Sequence, residues 1–349
     1  MVKSSLEGKK ILFLSPKYMN IYKDVISCIN QLGGEVSWAS SDFISPNPYL
    51  VAVKNRLNEE NINKFNEKCE LFWKDLFSKE EYNKKYDYFF TIDGLMICPF
   101  LFKELSTRNP DVKKVLFLYD KNDGMQEINS TYHYYDDIYT FDLGDRDKYH
   151  LKFMPIYWVP SNSVDSIKYD IFGFASYNSR KPDRTKLFNE VNKICKAKGL
   201  SAFVKLYYPM KNKLVFCIKN IIHCLFNHKS YTPFSYIKEG LITGQSLSPD
   251  DFRQTIRESR VILDTQAPYQ DGLTARFMWA LGEGKKIITT NSSITRYPFY
   301  DQKQFYILHD IDADELLKFI VEPFTVSDNN KLMIEQYRID NWILKMLCE

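Results

Sequence analysis

At 349 residues the chain is long enough for two domains that each bury a core of their own, and too long for one small module. Lys plus Arg number 47 against 44 for Asp plus Glu, a formal net charge of +3, whereas a nucleic-acid binder would concentrate more positive charge than this. The 7 cysteines are odd in number, scattered and without C-x-x-C, which speaks against a disulfide framework and for a reducing, cytoplasmic compartment.

The chain opens MVKSSLEGKKILFLSP, whose apolar run of four is too short for a signal peptide. No window reaches about 18 uninterrupted apolar residues, so no membrane span is expected. Residues 10–14 read as a strand, an amphipathic segment from about 20 to 32 as a helix, and residues 35–39, after the Gly33-Gly34 turn, as a second strand. This alternation of strand and helix predicts an α/β protein with parallel sheets. The first loop, SPKYMN, lacks the glycines that let a pyrophosphate approach a strand-to-helix turn. Residues 55–82 are charged and helical in pattern. Strands at 86–92 and 114–119 end at Asp93 and Asp120, which places two acids at the carboxyl ends of neighbouring parallel strands. His133 lies in a polar, aromatic loop, STYHYYDD. A shorter strand follows at 137–141, then a helical turn at 142–149 with acids at its start. Residues 153–160, with a proline near each end, lead out of a first domain spanning 1–160.

The pattern restarts in a second domain, 161–325. A strand at 169–175 containing Gly173 is followed by SYNSRKPDR and a helix at about 183–198. Arg180, Lys181 and Arg184 thus gather where strand hands over to helix, a position suited to a leaving diphosphate. Residues 202–207 are a strand. On a wheel of about 100° per residue, Asn212, Lys213, Lys219, Asn220, His223 and Asn227 share an arc of roughly 120° with mostly apolar residues around the remainder. The segment reads first as a covered helix of the second domain, and alternatively as an interfacial helix at a membrane. Ser248-Pro249-Asp250-Asp251 is a helix start with Ser as N-cap and Pro behind it.

Residues 260–291, RVILDTQAPYQDGLTARFMWALGEGKKIITTN, form a strand–loop–helix–strand unit with its polar groups at one end. The helix spans about 273–283 and ends at Gly284. The loop brings Gly272 and Thr274 to a helix N-terminus, where free N–H groups and the helix dipole favour a phosphate. Arg276 in the first turn adds a two-pronged charged contact; read as an exposed side chain, it matters more to a ligand than to folding. In HDIDAD, 309–314, the acids precede an apolar helix pattern and read as N-caps, not as a metal-binding Asp-x-Asp. His150, His228 and His309 show no metal-ligand spacing, and no metal is expected. No G-x-S-x-G or Cys/His signature supports a hydrolase. A terminal helical segment occupies 326–349.

GLTARFMWALGEGKKIITTN resembles the C-terminal signature of bacterial lipopolysaccharide and capsule glycosyltransferases of the GT-B type, and residues 134–158 and 322–347 are similar to that family's central and terminal segments. The resemblance implies two facing Rossmann-like domains, an N-terminal acceptor domain and a C-terminal nucleotide-sugar domain, with the terminal helix returning to the first. One position departs from the family, which tends to carry a ribose-holding glutamate three residues after this arginine; here it is Trp279.

The expected activity is transfer of a sugar from a nucleotide-diphosphate donor to a glycan or lipid-linked acceptor, with no separate cofactor. Arg180, Arg184, Arg276 and the helix ends at Gly272 and Thr274 would carry the leaving diphosphate without a metal. Asn178, Gln270, Asp271 and Asn291 would hydrogen-bond sugar or ribose hydroxyls. If the reaction inverts, Asp93, Asp120 or His133 would take the acceptor proton. The expected location is the cytoplasm, with the inner-membrane surface as a second site of residence. Two other readings stand beside it: a catalytically silent sugar-nucleotide-binding scaffold, and a sugar-nucleotide epimerase.

Overall fold

A computed structural model describes residues 6–42, 59–94, 96–122, 131–161, 166–177, 182–209, 215, 217–218, 221–222, 225, 236, 239–266 and 270–349. The chain forms two compact units. The first comprises Met1–Val159, Gln270–Gly272 and Glu335–Glu349, the second Pro160–Tyr269 and Leu273–Ile334.

The first unit is built on a six-stranded parallel sheet of β1 (Lys10–Ser15), β2 (Glu35–Ser40), β3 (Tyr88–Ile92), β4 (Lys113–Leu118), β5 (Asp137–Thr140) and β6 (Lys152–Phe153), in the order β2-β1-β3-β4-β5-β6. Its helices are α1 (Ile21–Gln31), α2 (Glu59–Ser78), α3 (Pro99–Arg108) and α4 (Leu143–Tyr149). The inner strands are continuous apolar runs because both faces of the sheet are covered. Successive residues serve opposite faces. Phe89 and Leu116 join Trp73 of α2 and Leu101 and Phe102 of α3 in one core cluster, while Phe90 and Phe117 meet Trp342 of the C-terminal helix. Helix α3 escaped the sequence reading for a physical reason: Pro99 stands at its start, but Cys98 before it makes no capping hydrogen bond, so the usual start signature is missing.

The terminal segment, expected as one helix, is two: α9 (Asp328–Glu335) and α10 (Ile339–Cys348). Between them, Tyr337 O accepts from Trp158 N–H at 3.1 Å and Trp158 O accepts from Ile339 N–H at 3.0 Å, a strand-like bridge that interrupts the helix. Arg338 braces the break by pairing with Asp340 at 2.7 Å and with Glu335. Trp342 is fully buried, packs edge-on to Phe117 and Tyr157 at 4.8 and 4.9 Å, and donates its indole N–H to Pro155 O at 2.9 Å. Trp342→Phe keeps most of that packing but orphans the carbonyl, so urea denaturation is expected to show a loss of about 1–2 kcal/mol. A midpoint equal to the parent's would mean the bond contributes nothing.

The second unit holds β7 (Tyr169–Ser176), β8 (Ala202–Tyr207), β9 (Ile242–Thr243), β10 (Ser259–Asp264), β11 (Lys286–Thr289) and β12 (Phe305–Ile307), again all parallel, in the order β12-β11-β10-β7-β8-β9. Counted from the unit's own first strand this is 3-2-1-4-5-6, the Rossmann order. Helices α5 (Pro182–Ala197), α6 (Pro249–Arg257), α7 (Ala275–Gly282), α8 (Ala313–Val321) and α9 accompany it. Gly173 in β7 is closely packed: a Cβ there would sit 3.1 Å from the Leu263 side chain of the adjacent strand, which would have to shift by a few tenths of an ångström. The expected caps are present: Ser248 accepts from Asp251 N–H at the start of α6, and Asp312 accepts from Asp314 and Glu315 N–H at the start of α8. The chain reverses its direction of sheet growth between β1 and β3 in the first unit and between β7 and β10 in the second. Open α/β sheets bind ligands beyond the carboxyl ends of strands at such points.

Candidate functional site

In the second unit, the switch point lies at Ser176 and Asp264, the last residues of β7 and β10. Arg184, on the first turns of α5, joins the two strand ends. Its Nη1 donates to Ser176 O at 3.5 Å and its Nη2 to Thr265 O and Gln266 O at 3.4 and 3.3 Å. Thr274 caps α7, accepting from Phe277 N–H at 3.1 Å while its hydroxyl donates to Asp264 Oδ1 at 2.8 Å. The same Asp264 oxygen lies 3.2 Å from Arg276 Nε, and Arg276 Nη1 donates to Phe174 O. Asp264 is almost wholly buried and the Arg276 side chain is only 15% exposed, so this arginine is not the free surface group expected from the sequence. Ala275 and Arg276, the first two residues of α7, have N–H groups without intrahelical partners, as in any helix. Arg184 and Arg276 stand at the same end of the sheet, where the charge of Arg276 is balanced by Asp264 and Arg184 donates to backbone carbonyls.

The other candidates of this half separate. Asn178 and Arg180 lie outside the described residues. Asn291 is buried, and its Oδ1 accepts from Ser293 N–H at 2.9 Å, capping the short turn Ser292–Arg296. Thr290, which the sequence places in one space with residues 264–274, donates its hydroxyl to Gln266 Oε1 at 3.0 Å, linking the ends of β10 and β11. Gln270, Asp271 and Gly272 cluster with the first unit. There the N–H groups of Asp271 and Gly272 donate to Asp142 Oδ2 at 2.7 and 2.9 Å, so the Gly272 donor expected to meet a phosphate has a carboxylate partner instead. The glycine has a packing reason, because a Cβ at 272 would fall 2.5 Å from the Phe141 ring and 2.7 Å from its carbonyl oxygen.

Asp142 itself was legible only as a helix start. It is that, accepting from Asp145 N–H at 3.1 Å through Oδ1, but it is also fully buried with Lys121 Nζ 3.7 Å away. Trp279 is 5% exposed, edge-on to Phe252 at 6.0 Å and covered by the Arg253 guanidinium 4.7 Å from its ring. The position that carries a glutamate in the resembling family is thus a packed seam between α6 and α7, with no carboxylate to offer a ribose.

In the first unit the switch point is marked by the backbone. Of the five described non-glycine residues with positive φ, Met19 and Asn20 follow β1 and Asp93 and Met96 follow β3. Left-handed conformations of this kind cost free energy and concentrate at functional sites. Asp93, at φ 66°, is held rigidly: the N–H groups of Tyr119 and Asp120 donate to its Oδ1 at 2.7 and 3.3 Å. Burial, and then the charge of Asp120, push its carboxyl up to about 7, against the lowering effect of those two donors. Asp120 is exposed. His133 is exposed too, its ring 3.9 Å from that of Tyr134 in the turn Tyr132–Tyr134. Among the described residues no three His, Cys, Asp or Glu side chains cluster as metal ligands, and no helix is long and apolar enough to cross a membrane.

No protein-family model and no curated protein matches the sequence. Solved structures do match. An alpha,alpha-trehalose-6-phosphate synthase from Burkholderia multivorans aligns over 97% of this chain and 98% of its own at 11% identity, with a TM-score of 0.58. A sucrose-phosphate synthase from Thermosynechococcus elongatus aligns over 97% of each chain at 11% identity and a TM-score of 0.58. A glycosyltransferase involved in avilamycin A biosynthesis gives 97% and 98% coverage, 10% identity and 0.53. At such identities the fold is what is shared, and the fold of this chain is that of the GT-B glycosyltransferases.

Proposed function

We propose that the chain is a nucleotide-sugar-dependent glycosyltransferase, working without a metal, that adds a sugar to a glycan or lipid-linked acceptor in cell-surface polysaccharide synthesis on the cytoplasmic side of the membrane. The observation that carries this is the pair of arginines, Arg184 and Arg276, set at the carboxyl ends of β7 and β10 beside the N-terminus of α7 in a chain of GT-B fold. The lipopolysaccharide or capsule pathway is supported by the sequence resemblance alone.

In this reading the second unit takes the donor, with the diphosphate against the Ala275 and Arg276 N–H groups and the guanidinium groups of Arg180, Arg184 and Arg276 around it. Asn178, Gln270, Asp271 and Asn291 are the hydroxyl-binding candidates, Gly272 and Thr274 the residues that shape the loop. As the bond from the anomeric carbon to the diphosphate oxygen breaks, the electron pair stays on that oxygen, where fixed positive charge stabilises it. The acceptor hydroxyl oxygen forms the new bond to the anomeric carbon. Its proton goes to Asp93, which we favour over Asp120 and His133 because two backbone donors fix its orientation; desolvation pushes up the carboxyls of both Asp93 and Asp120, and that of Asp93, at about 7, suits a base near neutrality.

The purified chain should release nucleoside diphosphate from one member of a panel of nucleotide sugars when acceptor is present. Because the base works ionised, the rate should climb as pH rises through about 7 and level off above it, a rise that Asp93→Asn removes. Stability runs the other way. The folded pKa lies above the unfolded value of about 3.9, so the native state loses stability as pH rises from there through about 7, and Asp93→Asn should be more stabilising at pH 8 than at pH 5. A flat profile in both measurements would remove Asp93 from the mechanism.

Buried Trp279 favours a second reading, a catalytically silent sugar-nucleotide-binding subunit. Tight nucleotide binding without turnover on any donor and acceptor would establish that reading in place of the first.

A further inference from the structure

The segment around residues 212–227 was expected first as a covered helix, yet the apolar side chains described there are uncovered. Val215, Ile218, Ile221, Ile222 and Leu225 are helical and between 46% and 69% exposed. At about 100° per residue these five fall within an arc of roughly 120°. Five branched aliphatic side chains left in water along one helix face are a surface made to be covered. The charge around them says by what. Between Glu190 and Glu239 the chain has nine lysines and no acid, five of them from Lys211 onward. The five lysines from Lys211 to Lys238 alone exceed the net charge of +3 carried by the whole chain, so this stretch is a concentrated source of positive charge. A second copy of the chain would bring lysine-rich flanks against each other, whereas an anionic lipid surface accepts both the apolar face and the lysines.

We propose that this segment of the second unit docks on an anionic bilayer, with Val215, Ile218, Ile221, Ile222 and Leu225 entering the headgroup boundary and the neighbouring lysines meeting lipid phosphates. The proposal rests on the glycosyltransferase reading for its purpose, delivery of the enzyme to a lipid-linked acceptor, but its test does not. The purified full chain is sedimented with phosphatidylcholine vesicles, with and without phosphatidylglycerol. It should pellet with the anionic vesicles and at least about a hundredfold less with neutral ones, and each neutralised lysine, as in Lys213→Gln or Lys219→Gln, should lower partitioning about fivefold. The pair Ile218→Asp and Ile222→Asp should abolish pelleting with an unchanged melting temperature, since both side chains are already half in water.

Failure of the parent chain to pellet with anionic vesicles would overturn the proposal, as would equal pelleting of the aspartate pair. So would a dimer, seen by light scattering, that the aspartate pair dissolves in a chain that ignores vesicles; the occupant would then be a second copy. Nucleotide-sugar binding is measured separately without vesicles, so its loss would sink the enzyme reading and leave the membrane result standing.

Discussion

Arg276→Ala is expected to unfold well below the parent chain, with about 3 kcal/mol of stability lost, because it strips a buried carboxylate of its counter-charge. Among the described residues Asp264 keeps only the Thr274 hydroxyl once the guanidinium is gone, and the Phe174 carbonyl loses the Arg276 donor as well. For a unit of this size such a loss lowers the melting temperature by about 6–12 °C. Read from the sequence as an exposed phosphate ligand, the same change would have spared the fold. The double variant Asp264→Asn, Arg276→Ala separates the two roles. An asparagine can still accept from Thr274 while carrying no charge that needs an arginine, so more than half of the stability should return. Nucleotide affinity measured in that refolded background then reports on the phosphate contact alone and should remain at least about tenfold weaker than the parent's, the worth of one charge-assisted hydrogen bond. Affinity restored along with stability would make Arg276 a brace for Asp264 and nothing more.

What could be read from the sequence was what each segment dictates for itself. The inner strands announced themselves as apolar runs because both faces of each sheet are covered, and Ser248 and Asp312 announced α6 and α8 through capping chemistry local to a few residues. The two-residue strands β6 and β9 have no run to announce them; they exist because a neighbouring strand offers a ladder. The candidate site was legible to the same extent. Its location at strand ends followed from the alternation of elements, but the partners of its side chains did not. Arg276 looked exposed because Asp264, twelve residues upstream, gave no sign of being buried beneath it. Trp279 looked like a missing ligand, yet its stacking under Arg253 depends on how α6 meets α7. The covered apolar face expected of 212–227 followed from amphipathicity, which says that a face will be buried without saying against what.

Asp142 shows the same limit with the largest consequence, and two substitutions expose it. As an N-cap alone, the role visible in the sequence, Asp142 would tolerate asparagine almost unchanged and lose about 1 kcal/mol on truncation to alanine. The structure gives its two oxygens three backbone donors, Asp145 on one side and Asp271 with Gly272 on the other, and a lysine at 3.7 Å. Asparagine has one acceptor oxygen. Whichever way its amide turns, an NH2 group faces backbone N–H groups, and Lys121 loses its partner charge. Asp142→Asn should therefore cost nearly as much as Asp142→Ala, about 3 kcal/mol or more for each, since hydrogen bonds to a buried charged group contribute about 1.5–3 kcal/mol apiece. Urea denaturation gives the two stabilities, and hydrogen exchange at the Gly272 amide, sharply faster in both variants, ties the loss to this carboxylate. Near-parent stability of Asp142→Asn would return Asp142 to the status of an ordinary cap and free the Gly272 N–H for the phosphate first expected there.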